Sequence, residues 1–340
     1  MSEISTAQRI AHAEPVLPQH PDIVAWRPAV ADDIDAITAL FQDADRLDHP
    51  SWTTPREDIE EVFASSWIDP TRDTLLGFGA DGRLLAVGGV QLHPSRDTHL
   101  HAYLQGRVHP DARGRGIGRE VLRWEHERAL EALVEADSPL PATVFVYADE
   151  PDTGARRLAE RRGLREERWF ATMVRDLALE IPEVAPATGD VEIVAYDASR
   201  KEAVRLARND AFRDHWGSLE TPVERWAQFI DGPFLRPDLS WLAVEGDRVV
   251  ALALGSVNEE DWKTQGYTSV YVDLIGVTRD RRGLRLAPAV ITALLRAARA
   301  AGLEKVVLDV DTESPTGADG LYGRLGFEPT ERTVALVSEH

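Results

Sequence analysis

Hydrophobic residues in the first half of the chain form short alternating runs and stretches with helical spacing, such as Ile34, Ile37, Leu40 and Phe41. Alternation predicts strands and the 3.6-residue period predicts helices. Charged residues at 125–128 indicate a solvated face on the longest helix. Strands are predicted at 23–28, 74–78, 83–92, 100–108, 143–147 and 167–177, and helices at 34–41, 55–63, 119–135 and 153–162.

The same order of elements repeats in the second half, where Arg282 stands at the place of Arg113. Two copies of one α/β domain are therefore expected, each with a mixed, mainly antiparallel sheet flanked by helices. The predicted ranges are 1–178 for the first domain, 179–190 for a linker rich in Pro and Ala, and 191–340 for the second domain. Its strands are predicted at 191–196, 240–244, 248–257, 270–277, 305–310 and 327–337, and its helices at 200–212, 221–230, 287–301 and 318–324.

The composition of the 340 residues, 43% hydrophobic and 28% charged, is typical of globular proteins. A net charge of −20 argues against nucleic acid or an anionic membrane as partner and suits a cationic small molecule such as an amine. The absence of cysteine excludes thiolate nucleophiles and zinc–thiolate sites. The sequence also lacks an HExxH motif, which would have indicated a metal site. The leader 1–19 lacks a hydrophobic signal core and no run could span a membrane. We expect a cytoplasmic monomer or homodimer.

The segment 108–118 joins a predicted strand to the longest predicted helix and contains Gly114, Gly116 and Gly118. Glycines let the backbone bend sharply or approach a ligand closely. The helix that follows leaves its first N–H groups unpaired and carries a partial positive charge there. Strand, glycine loop and helix together predict a phosphate-binding loop. A tight turn without a ligand is the alternative, whereas a Rossmann fingerprint would need a glycine at Arg119.

The motif from Arg113 to Gly118 resembles the Arg/Gln-x-x-Gly-x-Gly/Ala signature of the GNAT acyltransferase superfamily, including the preceding Val-x-Pro. The segment 307–327 is similar to the closing signature of that superfamily, and the tandem arrangement is similar to mycothiol synthase and other double-domain acetyltransferases. The resemblance implies that the loops hold the pyrophosphate of acetyl-CoA. The implied cofactor-binding residues are Val108, Arg113, Gly114, Arg115, Gly116, Ile117, Gly118 and Arg119 in the first domain, and Val277, Arg282, Gly283, Arg285, Ala287 and Ser314 in the second.

The second loop departs from the motif, because Arg285 and Ala287 replace its last two glycines. An arginine there would either crowd a pyrophosphate or, turned outward, pair with a phosphate. The sequence leaves both possibilities open. Ser314 stands where many relatives have asparagine.

Two residues of the second domain are candidates for the chemistry that the resemblance implies. Tyr322 corresponds to the family tyrosine that protonates the departing thiolate, although packing within a helix is the alternative; the first domain has Ala159 at this place. Asp273 is two residues after Tyr271, the slot of a glutamate in mycothiol-synthase-like domains, and hence on the same strand face. We expect it to act as base or amine anchor, with a structural carboxylate as the alternative.

The expected function is transfer of an acetyl group from acetyl-CoA to a primary amine of a small molecule, by direct attack and without a metal. A backbone N–H near Val108 or Val277 would polarise the thioester carbonyl. We expect catalysis in the second domain. The alternatives are a non-catalytic acyl-CoA sensor and catalysis in the first domain. Glu260 and Asp261 are further candidates for the base.

Overall fold

The computed structural model describes residues 4–49, 51–184, 190–313 and 318–340. The chain folds into two compact units, one comprising Met1–Arg168 with Thr333–His340 and the other Trp169–Arg332. In the described residues, none of the helices has the length and apolar character needed to cross a membrane.

The first unit is built on a mixed sheet. Its helices are α1 (Thr6–Arg9), α2 (Ile34–Asp48), α3 (Arg56–Ala64), α4 (Pro70–Asp73), α5 (Ile117–Glu135) and α6 (Thr153–Arg161), and its strands are β1 (Ala25–Arg27), β2 (Thr74–Phe78), β3 (Leu84–Leu92), β4 (Leu100–Leu104), β5 (Arg107–Val108) and β6 (Ala142–Asp149). Strands β7 (Arg165–Asp176) and β13 (Glu328–Glu339) each begin in one unit and end in the other. The sheet order is β1-β2-β3-β4-β6-β13, with β5 also on β3; the β4–β6 pair is parallel and the other neighbouring pairs are antiparallel.

The second unit repeats this plan. Its helices are α7 (Lys201–Ala211), α8 (Val223–Ile230), α9 (Glu259–Gln265), α10 (Leu286–Ala300) and α11 (Ala318–Arg324), and its strands are β8 (Glu192–Ala195), β9 (Trp241–Glu245), β10 (Arg248–Ser256), β11 (Ser269–Val277) and β12 (Lys305–Asp311). The sheet order is β7-β12-β11-β10-β9-β8, in which β11–β12 is parallel and the others are antiparallel. The expected mixed, mainly antiparallel fold is confirmed.

Each sheet is covered on both faces. In the first unit, α5 packs against β3, β4 and β6 in one hydrophobic cluster, while α2 and α3 pack against β2 and β3 in another. In the second unit, α10 and α11 form one cluster with β10, β11 and β12, and α7 and α8 form a second cluster with β9 and β10. Burial of apolar area in these clusters is the main stabilising contribution.

The two units differ from the predicted domain ranges at their last strands. Residues Phe170–Asp176 of β7 pair with β12, and Thr333–Glu339 of β13 pair with β6, so each half of the chain supplies the closing strand of the other half's sheet. The predicted ranges 1–178 and 191–340 place each strand with its own half. Part of the predicted linker is structured, since Ile181 is buried in the core of the second unit; residues 185–189 lie outside the described residues.

Several local predictions were wrong. The predicted strand 100–108 is divided between β4 and β5, and α9 was missed because its sequence has no apolar period. The leader contributes α1, whose Thr6 is buried and donates its backbone N–H to the Ser138 carbonyl at 2.8 Å. The charged segment 125–128 is not a solvated face, because Glu125 is only 2% exposed and packs toward the sheet.

Candidate functional site

The first loop has the conformation that its glycines allow. After a 3-10 turn over Pro110–Ala112, Gly114 and Gly116 have φ angles of 75° and 97°, in the left-handed region that favours glycine. Gly116 is the N-cap residue of α5, which begins at Ile117. A Cβ on Gly114 would meet no atom within 4 Å, so the surface of the loop is open. The loop therefore fits a phosphate group bound by backbone N–H groups.

The three arginines of the first loop have different environments. Arg113 donates both terminal nitrogens to Asp48, at 2.6 and 2.8 Å, and its Nε to the Val108 carbonyl at 3.1 Å. Arg115 donates to the Asp111 carbonyl, and Arg119 to the neighbouring Glu120. The side chains of Arg115 and Arg119 are 57% and 67% exposed, against 35% for Arg113, so these two are the more accessible to a bound anion.

Ile117 and Gly118 have packing roles at the start of α5. Ile117 is buried with Val121 and Ala112 under the loop. A Cβ on Gly118 would lie 3.5 Å from both Leu158 and Val108, so the position admits only a small residue without displacing neighbours. These contacts fix where the first N–H groups of the helix lie.

The second loop has the same left-handed backbone positions as the first, although Arg285 stands in place of the second glycine. Gly283 has a φ angle of 81°, and Arg285, the N-cap residue of α10, has φ 56° and ψ 28°. A left-handed conformation costs a residue with a Cβ about 1 kcal/mol. Arg285 is exposed, and no hydrogen bond or ion pair engages its guanidinium within the described ranges. Arg282 donates to Asp214 at 3.2 Å and to the Ala211 carbonyl at 2.9 Å, while Ala287 packs against the core.

The strands that lead into the two loops each present an N–H group away from the sheet. Thr278 donates its N–H to Val250 and His109 donates to Leu85, both at 2.9 Å. In an antiparallel ladder these bonds alternate, so the residue before each donor, Val277 or Val108, directs its own N–H away from the antiparallel neighbour. The N–H of Val277 is thus available to a carbonyl oxygen.

Asp273 is the extra residue of a β-bulge. Leu254 pairs with Leu274 and Gly255 with Val272, so Asp273 has no partner residue on β10. Bulges redirect the inserted side chain. In the first unit, by contrast, β3 pairs with β4 and β5 in a single register, as the pairs Val90–Leu104 and Val87–Arg107 show, so no extra residue is inserted between these pairs.

The carboxyl group of Asp273 is in an unusual environment. Ser256 donates its hydroxyl to Oδ1 at 3.0 Å, while Oδ2 is buried and has no hydrogen-bond partner in the described residues. Burial raises the pKa of Asp273 to about 7, and the Ser256 hydrogen bond opposes that shift. Asp273 is therefore near half-ionised at neutral pH, which suits a group that accepts a proton.

A second carboxyl group, that of Asp309, lies beside Tyr271. Asp309 on β12 accepts hydrogen bonds from Tyr271 at 2.9 Å and Thr172 at 2.7 Å. Both side chains reach solvent, Tyr271 with 38% of its surface exposed, yet desolvation by the surrounding protein raises the pKa of Asp309. Desolvation and the nearby charges of Asp309 and Asp273 raise the pKa of Tyr271. Ser256 and Asp309 were not predicted as site residues from the sequence. For Asp309, the alternation of Asp309 and Asp311 with buried residues was the available signal.

Tyr322 on α11 is 7% exposed and belongs to the core cluster of the second unit. Its ring meets Phe327 edge to face with 5.8 Å between centroids, and burial raises its pKa to about 12. No hydrogen bond joins its hydroxyl to another residue of the described parts of the chain. Ala159, its counterpart in the first unit, is fully buried.

The remaining predicted residues contribute less to this region. Glu260 and Asp261 lie on α9, where Glu260 is exposed and Asp261 accepts a hydrogen bond from Asn258 at 3.0 Å. Ser314 lies outside the described residues. The site of the second unit thus comprises the loop, the bulge of β11 and the carboxyl group on β12.

Two family models match the chain. The acetyltransferase (GNAT) family matches residues 201–327, and an acetyltransferase (GNAT) domain matches residues 24–165. The mycothiol acetyltransferase of Parafrankia sp. is 30% identical over 317 residues, which cover 87% of this chain and 91% of that protein. The chain belongs to the GNAT acetyltransferase family.

Further relatives of this GNAT acetyltransferase support the same family assignment. The mycothiol acetyltransferase of Thermobispora bispora is 31% identical over 232 residues, covering 68% of this chain and 73% of that protein. A GCN5-related N-acetyltransferase from Sphaerobacter thermophilus has a TM-score of 0.69 at 25% identity and covers 94% of this chain and 97% of its own. A tandem GNAT protein from the clavulanic acid pathway shares the fold, with a TM-score of 0.65 at 18% identity, covering 93% and 98%. The protein is an N-acetyltransferase with two GNAT domains.

The two units of this GNAT acetyltransferase differ at corresponding strand positions. In the second unit, Tyr271 pairs with Val307, and Asp309 is two residues further along β12. In the first unit, Tyr103 pairs with Phe145 and stacks on it at 5.1 Å, and Phe145 stacks on Tyr147 at 6.4 Å. The corresponding surface is thus aromatic in the first unit and acidic in the second.

Proposed function

We propose that the second unit transfers an acetyl group from acetyl-CoA to a primary amine of a small molecule. The observation that carries this proposal is the bulged Asp273, whose unpartnered buried oxygen and pKa of about 7 lie on the strand leading into the loop. An acidic surface around an amine site favours a cationic acceptor. Since two relatives are named mycothiol acetyltransferase, mycothiol-type amines are the first acceptors to test.

The second loop fits the pyrophosphate of acetyl-CoA, which when bound supplies a thioester-activated acetyl group. A Cβ on Gly283 would meet no atom within 4 Å, so the loop surface is open. The N–H groups of Leu286 and Ala287, the first two residues of α10, would hold the phosphates, because the third residue, Pro288, has no N–H. The guanidinium of Arg285 would add a charge-assisted hydrogen bond. The N–H of Val277 polarises the thioester carbonyl.

Asp273 and Tyr322 divide the proton transfers. Asp273 accepts one proton from the ammonium group of the acceptor, which frees the nitrogen lone pair to form the new N–C bond. The second proton of this nitrogen passes to solvent as the amide forms, and Asp273 releases its own proton to solvent afterwards. Ser256 fixes the other carboxyl oxygen. As the C–S bond breaks, Tyr322 donates its phenolic proton to the sulfur, and solvent returns that proton to Tyr322 afterwards.

In this proposal, the first unit binds coenzyme A without catalysing transfer. Its loop keeps all three glycines, and Arg115 and Arg119 are exposed beside them. At the place that corresponds to Tyr322, the first unit has the fully buried Ala159, whose side chain has no acidic proton to donate. A bound cofactor here would stabilise the unit by mass action.

The test is a panel of primary amines incubated with acetyl-CoA and read by thiol release, together with calorimetric titration of coenzyme A. We expect turnover with at least one amine, and its loss in Arg285→Glu but not in Gly116→Glu. Loss in Gly116→Glu alone would place catalysis in the first unit. Binding without turnover on any amine would indicate a sensor, and the absence of any binding heat would contradict the proposal.

A further inference from the structure

Both units contain an Asp-His dipeptide at or shortly after the end of their first long helix. Asp48-His49 ends α2, and Asp214-His215 follows α7 by two residues. Each aspartate pairs with the arginine that begins the glycine-containing motif of its own unit, across 65 residues to Arg113 and across 68 residues to Arg282. We call Asp48–Arg113 and Asp214–Arg282 the loop-anchoring pairs. Their recurrence in two units of different sequence indicates a shared task.

In the first unit, the loop-anchoring pair joins three elements. Arg113 is held by both carboxylate oxygens of Asp48, and its Nε binds the carbonyl of Val108, the last residue of β5. Asp48 is only 16% exposed. A planar guanidinium held bidentately has a fixed orientation as well as a favourable energy. The pair therefore fixes the loop relative to α2 and to the strand that precedes it.

In the second unit, one aspartate binds two arginines. The carboxylate of Asp214 lies 3.2 Å from Arg282 and 3.0 Å from Nε of Arg279. Arg279 also donates its backbone N–H to Asp210 at 2.9 Å, and Arg282 donates to the Ala211 carbonyl. The loop is thus tied to the end of α7 by several bonds, although each is less ideal than the bidentate pair of the first unit.

The histidines that follow the two aspartates pack against aromatic rings. His49 is buried, stacks on Trp52 at 3.6 Å and lies 3.2 Å from Asp45. His215 packs on Phe212, with 4.8 Å between ring centroids. The charged groups around His215 are Arg282, Asp311, Asp214 and Arg208. Each histidine thus packs on an aromatic ring next to the aspartate of its loop-anchoring pair.

We propose that Asp48 and Asp214 are positioning residues for coenzyme A, acting through Arg113 and Arg282. In each unit the motif arginine is occupied by protein partners, so its task is to orient the loop. The backbone N–H groups and the exposed arginines are then in place before the phosphates bind, which lowers the entropic cost of ordering the loop on binding. This inference rests on the proposed function, because it assumes that the loops bind coenzyme A.

The experiment compares Asp48→Asn and Asp214→Asn in the full chain, with coenzyme A titrated by calorimetry. Each substitution removes a charge-assisted pair, and we expect it to weaken one binding event about tenfold. For Asp214→Asn, KM for acetyl-CoA should rise by a similar factor while kcat changes less. Asp48→Glu and Asp214→Glu keep the carboxylate and should recover most of the affinity; they also serve if an Asn variant fails to fold.

Matched controls are Asp35→Asn and Asp238→Asn, which remove exposed pairs with Arg56 and Arg236 in the respective units. Both should bind coenzyme A as the wild type does. Wild-type affinity in both loop-anchoring variants, or equal losses in the controls, would overturn the inference. Absence of binding by the wild type would instead contradict the proposed function, so the two failures are distinguishable.

Discussion

Tyr322 is buried in the core of the second unit, yet it is the expected proton donor. Its pKa of about 12 keeps the phenol protonated throughout the usual assay range. If it protonates the leaving sulfur, Tyr322→Phe should lower kcat about a hundredfold and leave KM for acetyl-CoA within about twofold. Steady-state kinetics check this, with Tyr196→Phe, a buried tyrosine of another cluster, as the control. Unaltered kcat would mean that Tyr322 only packs.

Arg285 combines backbone strain with an unpaired charge, and two substitutions separate the effects. Arg285→Gly removes both and should raise the free energy of unfolding by up to about 1 kcal/mol while weakening coenzyme A binding. Arg285→Ala removes only the charge, so it should weaken binding without that stabilisation. Denaturant unfolding and calorimetry measure the two quantities. Equal stability of both variants would contradict the strain, and wild-type affinity would contradict the phosphate contact.

The chemistry of Asp273 could be predicted from sequence only in part. The two-residue spacing from Tyr271 placed both side chains on one face of a strand, and the charge of Asp273 does act on Tyr271. The bulge that inserts Asp273 has no signal in the sequence, because one extra residue in an apolar strand leaves the composition unchanged. The partner Ser256 comes from a neighbouring strand whose register depends on that bulge.

Helix α5 contains a buried carboxyl group that the proposed reaction does not use. Glu125 accepts the Gly89 N–H at 3.0 Å and lies so close to Gly106 that a Cβ there would be 2.9 Å from it. Burial raises its pKa to about 8, with the Gly89 hydrogen bond opposing the shift. Leu294 of α10 makes the corresponding contact in the second unit, 3.6 Å from the Cβ position of Gly255.

Glu125 should make the stability of the protein depend on pH. Because its pKa is higher in the folded than in the unfolded state, the folded state binds more protons between these values, and stability falls as pH rises from about 4.5 to about 8. Glu125→Gln does not titrate. Its free energy of unfolding relative to wild type should therefore increase with pH, by at most about 1.4 kcal/mol per unit. A difference that is constant from pH 5 to pH 8 would contradict the buried neutral carboxyl group.

Helices and strands were predicted correctly where the spacing of apolar residues along the sequence determines the secondary structure. The helix at α10 and the strand at β10 follow their hydrophobic patterns closely. The pattern of charged and apolar residues gave the wrong prediction for Glu125, because charge is normally a sign of exposure. Gly88 of β3 and Gly106, between β4 and β5, make room for this carboxyl group. Helix α9 has a single apolar residue, Trp262, which packs against the core of the second unit, so it shows no apolar period. The helix is capped by Asn258, which accepts the Glu260 N–H at 3.2 Å.

The repeat predicted two GNAT-like domains, but chain order could not assign the closing strands. Strands β7 and β13 have similar alternating patterns, and each would satisfy either sheet. In the structure, Val334–Val337 of β13 are buried in the sheet of the first unit beside β6. The C-terminal segment of the chain therefore stabilises the unit formed by the N-terminal half.

This exchange of closing strands predicts which unit a core substitution affects. Leu336→Ala, at a fully buried position, should cost about 2–5 kcal/mol and should speed amide exchange in β6 rather than in β12. Leu308→Ala, its matched control on β12, should do the opposite. Hydrogen exchange resolved by segment checks both. Faster exchange in β12 for Leu336→Ala would mean that each half closes its own sheet.

Catalysis by Asp273 is tested by the pH dependence of kcat/KM for Asp273→Asn with an amine that the wild type accepts. The wild type should lose activity as pH falls through about 7, where Asp273 takes up its proton. The variant should be slower by a factor on the order of a hundred, should lose this inflection and should bind coenzyme A normally. An unchanged rate and an unchanged profile in a folded Asp273→Asn variant would contradict catalysis by this carboxyl group.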